Sequence, residues 1–344
     1  MGCVLSLLLA FVASNVFADR IDQRVKVEMN REKIPGLALA IVQDGKTVKA
    51  QGYGLANVEL NVPATKDTVF EIGSITKQFT ATLILRLAEE NKLKLDDKVR
   101  QHLPNAPASW NGITLRHLLN HTSGITNYNN LPGFEVRKKL KVDSFLKEVA
   151  PYPLMFAPGE AWSYCNTAYN ALGYVIERAT GQPYWQVLKA QIFDPCGMRS
   201  TQSRDAEVVI TNRANGYEIE KGRLVNREAD LTDVFSAGAI VSTVVDLMKW
   251  DPTKLLSQSS YEEMRKPARL NNGKTLAYGC GLRLEDYKGH KNIGHGGSTS
   301  GFSASYQRFP DDKLAVIVLC NLGKQGVATG VARAVADLYL TQKN

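Results

Sequence analysis

What most constrains this fold is that strand-like segments sit at the two ends of the chain. Pro35 opens the apolar run Gly36-Leu37-Ala38-Leu39-Ala40-Ile41-Val42, Asp44-Gly45 gives a tight-turn signal, and Thr47 to Tyr53 follow. Two such runs joined by Asp-Gly predict an antiparallel hairpin. Strand-like residues return near the other end, at Tyr278 to Leu284, Phe302 to Phe309 and Lys313 to Leu319, with Asp311-Asp312 turning between the last two. From Ser74 to about Asn271 the patterns are mostly helical, with loops at Pro104, Pro107, Pro132-Gly133 and Pro158-Gly159. Arg20 to Arg31 and Val327 to Leu340 read as helices. Both ends are therefore expected to meet in one sheet, an α/β lobe of residues 19–73 and 275–344, with an all-helical lobe of residues 74–274 inserted between them.

A chain of 344 residues, 44% hydrophobic, can bury a large core. The net charge of +8 suggests anionic partners, but 34 acidic residues are scattered among the basic ones. The densest basic cluster, Val136-Arg137-Lys138-Lys139-Leu140-Lys141, reads as a solvated helix face, so no nucleic-acid partner is expected. Met1 to Ala18 carry no charged side chain, and the apolar run from Val4 to Ala13 ends in Val16-Phe17-Ala18. That run is shorter than the roughly 20 residues a spanning helix needs, so residues 1–18 read as an export signal and the protein as periplasmic or secreted. Met1-Gly2-Cys3-Val4-Leu5-Ser6 also fits a loose N-myristoylation pattern, but the apolar run behind it favours export. Cys165, Cys196, Cys280 and Cys320 remain and are expected as buried free thiols; with no C-x-x-C, cysteines give zinc no support.

The chemistry centres on Glu71-Ile72-Gly73-Ser74-Ile75-Thr76-Lys77, ahead of a helical run. Residues i and i+3 share a helix face, so the Lys77 amine lies one turn from the Ser74 hydroxyl, and burial would make the neutral amine accessible as a base. A helix start also offers backbone N–H groups to an oxyanion. S-x-x-K is a weak signal alone: Ser144-Phe-Leu-Lys147 repeats it on what reads as a solvated helix opening at Asp143. Ser74 differs in having partners downstream. Tyr164-Cys165-Asn166 precedes a helix from Ala168 to Thr180 closed by Gly181, and a phenol and an amide two residues apart can face one cavity. Tyr128-Asn129-Asn130 has the same letters without that helix. Ile293-Gly294-His295-Gly296-Gly297-Ser298-Thr299-Ser300-Gly301 packs four glycines around a histidine; such density marks either close backbone approach or a flexible turn. His117-x-x-x-His121 puts two imidazoles on one helix face, but Leu118 stands where a metalloprotease needs glutamate, and no G-x-S-x-G is present.

Taken in order, Ser74-x-x-Lys77, Tyr164-x-Asn166 and His295-Gly296-Gly297 resemble the three motifs of the penicillin-recognising serine hydrolases. The branch resembled contains class C β-lactamases, D-alanyl-D-alanine carboxypeptidases, D-aminopeptidases and β-lactamase-like esterases. Ile113 to Gly124, Pro158-Gly159 and Gly181-Gln182-Pro183 are similar to segments of the same branch, and the likeness spans about residues 20 to 340. It implies a β-lactamase-like α/β fold, an antiparallel sheet flanked by the terminal helices, with the site where the helical lobe joins it. It further implies that Ser74 is the nucleophile, that Lys77 and Tyr164 share the acid and base work, and that Asn166, His295, Gly297 and Ser298 bind substrate. The N–H groups of Ser74 and Ser298 would contact the oxyanion, and no cofactor or metal is implied. The substrate would be a small-molecule ester, peptide or β-lactam. Class C β-lactamases usually have lysine, threonine and glycine where this chain has His295, Gly296 and Gly297. An imidazole with a reference pKa of about 6.5 lends positive charge to a substrate carboxylate only in acid. An esterase or peptidase is therefore expected over an efficient β-lactamase, with a class C-type β-lactamase and a non-turnover penicillin-binding or sensing protein of the same fold as the alternatives.

Overall fold

The computed structural model describes residues 19–131, 141–227, 231 and 234–341. The expected leader at 1–18, the Pro132-Gly133 loop and all of the basic cluster except Lys141 lie outside them. A helix over residues 19–32 leads into β1 (Gly36–Gln43), β2 (Lys46–Asn57), β3 (Val62–Pro63) and β4 (Phe70–Glu71). The middle contributes β5 (Gln202–Ser203), β6 (Tyr217–Glu220), β7 (Arg223–Asn226) and β8 (Ile240–Ser242). The carboxyl end contributes β9 (Arg283–Tyr287), β10 (His290–Thr299), β11 (Phe302–Phe309) and β12 (Leu314–Cys320), followed by the helix Val327–Ala336.

Seven strands form one antiparallel sheet in the order β3-β2-β1-β12-β11-β10-β9. The two ends of the chain meet in its centre, where Leu39 on β1 lies between Gln51 on β2 and Val318 on β12. Asp44 and Gly45 both take positive φ, 50° and 73°, as an Asp-Gly hairpin turn requires. Side-chain alternation sorts β1 and β12 between two cores. Leu37, Leu39, Ile41, Val316 and Val318 meet Ile21, Val25 and Met29 of the first helix and Val327, Val331 and Val335 of the last. Ala38, Ala40, Ile317 and Leu319 point the other way, toward Phe70, Ile72, Ile75 and Phe79. Fully burying each large side chain stabilises the fold by about 1.5–3 kcal/mol.

The helix Thr76–Glu89 is buried on all sides over its first ten residues, the mark of a central helix. Two buried threonines find partners there: the Thr80 hydroxyl donates to Ser236 O at 2.7 Å and that of Thr82 to Gln78 O at 2.9 Å. The middle of the chain is not wholly helical, since β4, β8 and β5 form a small sheet and β6 and β7 a hairpin. The strand expected from Tyr278 starts only at Arg283: Gly279 N–H donates to Leu282 O, closing a turn first.

The glycine-rich segment around His295 is a strand, β10, and not a turn. It replaces the lost strand propensity with proximity. A Cβ on Gly297 would lie 1.9 Å from the Ile72 carbonyl oxygen, and one on Gly73, whose φ is +50°, would lie 2.8 Å from Ser298 N. Backbone therefore touches backbone where β10 crosses the turn that carries Ser74. At Gly296 an added Cβ would meet the Thr329 hydroxyl at 3.1 Å and the Ala304 carbonyl oxygen at an ordinary contact distance of 3.6 Å. Gly297→Ala is expected to lower stability by about 1–3 kcal/mol, as overpacking does, and Gly296→Ala by much less. Urea unfolding measures both; equal midpoints would show that β10 does not press on Ile72.

Candidate active site

Ser74 occupies a 3-10 turn, Gly73–Ile75, that runs directly into the helix Thr76–Glu89. Lys77 is on the first turn of that helix and is fully buried. Its Nζ lies 3.1 Å from Ser74 Oγ, 2.7 Å from Asn166 Oδ1 and 2.7 Å from Ala237 O. Two of these neighbours can only accept, and a neutral amine has two protons to give. Once Asn166 and Ala237 take them, the remaining lone pair faces Ser74, whose hydroxyl can donate. Burial drives the amine well below its ordinary 10.5 and so favours this neutral form. Among the described residues, none of its hydrogen-bond partners is a carboxylate.

Tyr164 and Asn166 come from the segment entering the helix Asn166–Thr180, capped by the Cys165 side chain. The Tyr164 hydroxyl is buried toward Ser74, and Lys77 Nζ lies 4.8 Å from the Tyr164 ring centre. This hydroxyl has no normal hydrogen bond among the described residues, and burial raises its pKa, against the pull of the Ser74 hydroxyl. Asn166 is held at both ends of its amide: Oδ1 accepts from Lys77, and Nδ2 donates to Asn129 Oδ1 at 3.3 Å. Its backbone N–H donates to Asn127 Oδ1 at 3.3 Å. The structure therefore makes Asn166 a support for the lysine amine.

Ser74, Tyr164, Asn166, His295, Gly297 and Ser298 all line one cavity of about 800 Å3. Lys77 lies behind that lining, its amine hydrogen-bonded to Ser74 and Asn166. The sequence reading missed Asn127 and Asn129, which also line the cavity while Tyr128 between them is buried. Asn129 belongs to the repeated letters Tyr128-Asn129-Asn130, which lack a following helix, and Asn127 carries no such signal. Arg283 and Arg333 reach the same cavity on either side of Glu285, and both pair with it. Glu71 was missed as well. Its buried carboxylate accepts from the Thr299 hydroxyl at 2.6 Å and Arg204 Nε at 3.2 Å, tying the end of β10 to the segment before Ser74. Burial pushes this carboxyl up to about 7 against both partners.

Two expectations about histidine change. His121 is not on a helix face with His117: the helix Leu115–Leu119 has ended, and His121 takes a positive φ of 64°. His117 Nδ1 instead accepts the Thr114 N–H at 3.2 Å. His295 lines the cavity but is not poised near its reference pKa. It is 2% exposed, and burial lowers it to about 3. Nδ1 lies 2.5 Å from Gly296 O and Nε2 3.0 Å from the Tyr278 hydroxyl, so protein groups occupy both ring nitrogens. The second serine-lysine pair is as expected: Ser144 and Lys147 are exposed on the helix Val142–Val149. Cys165, Cys280 and Cys320 are buried free thiols, and Cys196 is half-buried and free.

Comparison with known proteins shows the family and the fold. The family described as Beta-lactamase matches residues 18–340. Penicillin-binding protein 4* of Bacillus subtilis (strain 168) is 31% identical over 320 residues, 85% of this chain and 69% of that protein. The curated relatives are longer, and the chain spans as little as 65% of their length. An octameric penicillin-binding protein homologue from Pyrococcus abyssi superposes with a TM-score of 0.81 at 30% identity, covering 93% of this chain and 76% of that one. The D-amino acid amidase from Ochrobactrum anthropi SV3 superposes at 0.80 with 26% identity, covering 93% and 97%.

The buried, neutral His295 has a measurable consequence. A group at about 3 is already deprotonated throughout pH 5 to 8, so it adds no charge as pH falls through 6.5. The ratio of apparent affinities for a carboxylate-bearing and a neutral substrate is expected to show no inflection there. Steady-state KM measured across that range tests it; a ratio climbing below pH 6.5 and lost in His295→Gln would restore the titrating imidazole.

Proposed function

The chain belongs to the Beta-lactamase family of penicillin-recognising serine hydrolases, and from that premise we propose that it is an acyl hydrolase working through an ester on Ser74 Oγ. The observation that carries this is the lone pair of Lys77, aimed at Ser74 because Asn166 and Ala237 hold the other two positions on the amine. As Ser74 Oγ bonds to the substrate carbonyl carbon, its proton passes to Lys77 Nζ. The N–H groups of Ser74 and Ser298, adjacent where β10 crosses the turn, receive the oxyanion. Tyr164, kept protonated by burial, gives its proton to the leaving oxygen or nitrogen and takes the one on Lys77. The C–O or C–N bond breaks, and both side chains return to their neutral forms. Water then attacks the acyl carbon, loses a proton to Lys77, and Ser74 leaves carrying that proton.

The substrates proposed are carboxylic esters or D-amino-acid peptides and amides. Two guanidiniums face one carboxylate at the cavity, which suits a substrate with an anionic end. A neutral His295, with both ring nitrogens bonded to protein groups, stands where class C β-lactamases usually have a lysine, which disfavours an efficient β-lactamase. The likeness to a D-amino acid amidase supports the amide side of this reading. The apolar leader at 1–18 supports export to the periplasm or beyond as the place of action.

A p-nitrophenyl ester, a D-alanyl dipeptide and a chromogenic cephalosporin assayed side by side test the proposal. A burst of nitrophenol followed by slower turnover is expected, with Ser74→Ala lowering kcat/KM at least about a hundredfold. Undiminished ester hydrolysis in Ser74→Ala would reject the mechanism. A stable cephalosporin adduct on Ser74 with no turnover of any substrate would favour a penicillin-binding role.

A further inference from the structure

Behind Tyr164 runs a chain of four hydrogen bonds that the proposed reaction does not use. The Cys165 N–H donates to His121 Nδ1 at 3.1 Å. His121 Nε2 lies 3.1 Å from the Tyr278 hydroxyl, which lies 3.0 Å from His295 Nε2. His295 Nδ1 closes the chain 2.5 Å from Gly296 O. Its two ends admit a single direction each, because a backbone N–H can only donate and a carbonyl can only accept. His121 must then accept at Nδ1 and carry its proton on Nε2, giving it to the Tyr278 oxygen. His295 must carry its proton on Nδ1 and accept at Nε2 from the Tyr278 O–H. Every proton in the chain is placed, both imidazoles are neutral, and their tautomers are opposite.

All three side chains are buried, His121 at 0%, Tyr278 at 2% and His295 at 2% exposure. The Tyr278 oxygen joins two walls of the cavity: the segment that carries Tyr164, Cys165 and Asn166, and β10, which carries His295 to Ser298. Tyr164 packs against both histidines, with ring centres 4.4 Å from His121 and 6.0 Å from His295. A shift of either ring moves the phenol that faces Ser74.

We propose that Tyr278 is a positioning residue, whose hydroxyl locks His121 and His295 in opposite neutral tautomers and so sets Tyr164 against Ser74 and β10. It touches no reacting atom. The proposal rests on the acyl-hydrolase reading for its effect on rate, but the tautomer pair stands apart from that reading. Removing the hydroxyl leaves a donor on His121 and an acceptor on His295 without a partner in a buried site, where each must reorient or recruit water.

Two measurements on the whole chain test this. Long-range proton–nitrogen spectra can resolve the protein's five histidines, and near pH 7 are expected to show His121 protonated on Nε2 and His295 on Nδ1. In Tyr278→Phe, which keeps the packed ring, at least one of the two is expected to change tautomer. The same variant is expected to lose about tenfold or more in kcat on a neutral p-nitrophenyl ester, with KM within about threefold, since Tyr278 is not in contact with the cavity. Like tautomers, or a charged imidazole, in the unaltered protein would overturn the chain of bonds even if no variant folds. Unchanged kcat in a folded Tyr278→Phe would overturn the positioning role. Absence of ester turnover in the unaltered protein would count against the acyl-hydrolase reading and leave the spectra to decide the tautomers.

Discussion

One segment can lie with its backbone on another's only where it carries no side chain. At Gly297 a Cβ would meet the Ile72 carbonyl at 1.9 Å, which is no distance at all for a non-bonded contact. The geometry of the candidate site follows from this bare crossing. It brings Ser298 beside Gly73, sets two backbone N–H groups near Ser74, and puts the end of β10 where Glu71 can hold Thr299. β10 is in position because β12, two strands away in the sheet, is pinned to β1 from the opposite end of the chain. The sheet positions one wall of the cavity, and the buried helix Thr76–Glu89 positions the other.

The base arises from the same burial. A lysine needs several kcal/mol of compensation to stay charged away from water, and the surroundings of Lys77 offer an amide oxygen, a carbonyl and a hydroxyl. Cys165, whose thiolate would draw the amine back toward its charged form, is itself pushed up to about 11 by burial and remains a thiol. Losing the proton is the cheaper way out, and the result is an amine able to accept one from Ser74. Tyr164 is driven in the opposite sense by the same cause, since burial penalises its phenolate. A single desolvated pocket thus separates a base from an acid without placing a formal charge between them.

The parts of this arrangement legible in the sequence are those written locally. The Asp44-Gly45 hairpin depends on two adjacent residues, and Ser74 and Lys77 meet because one helical turn joins them. Tyr164-x-Asn166 and the glycines at 294–297 were legible as candidates, and only tertiary packing joins them to Ser74. β10 could be taken for a turn because glycine erases strand propensity, while the missing side chains are what let the strand approach Ile72. Asn127 and Asn129 act through Asn166, some forty residues away. The bonds from His121 to Tyr278 to His295 join three distant stretches, with no spacing rule to announce them. His295 shows the limit most directly: its identity suggested a group titrating near neutrality, and its surroundings move it to about 3.

The central claim is that Lys77 is uncharged when Ser74 reacts. Nitrogen NMR of protein labelled at lysine Nζ, with Lys77→Met identifying the resonance, measures its protonation directly. The account predicts one lysine that titrates well below the ordinary 10.5, with its signal already that of a free amine near neutral pH. A Lys77 resonance that stays an ammonium up to pH 10, together with all the others, would contradict it.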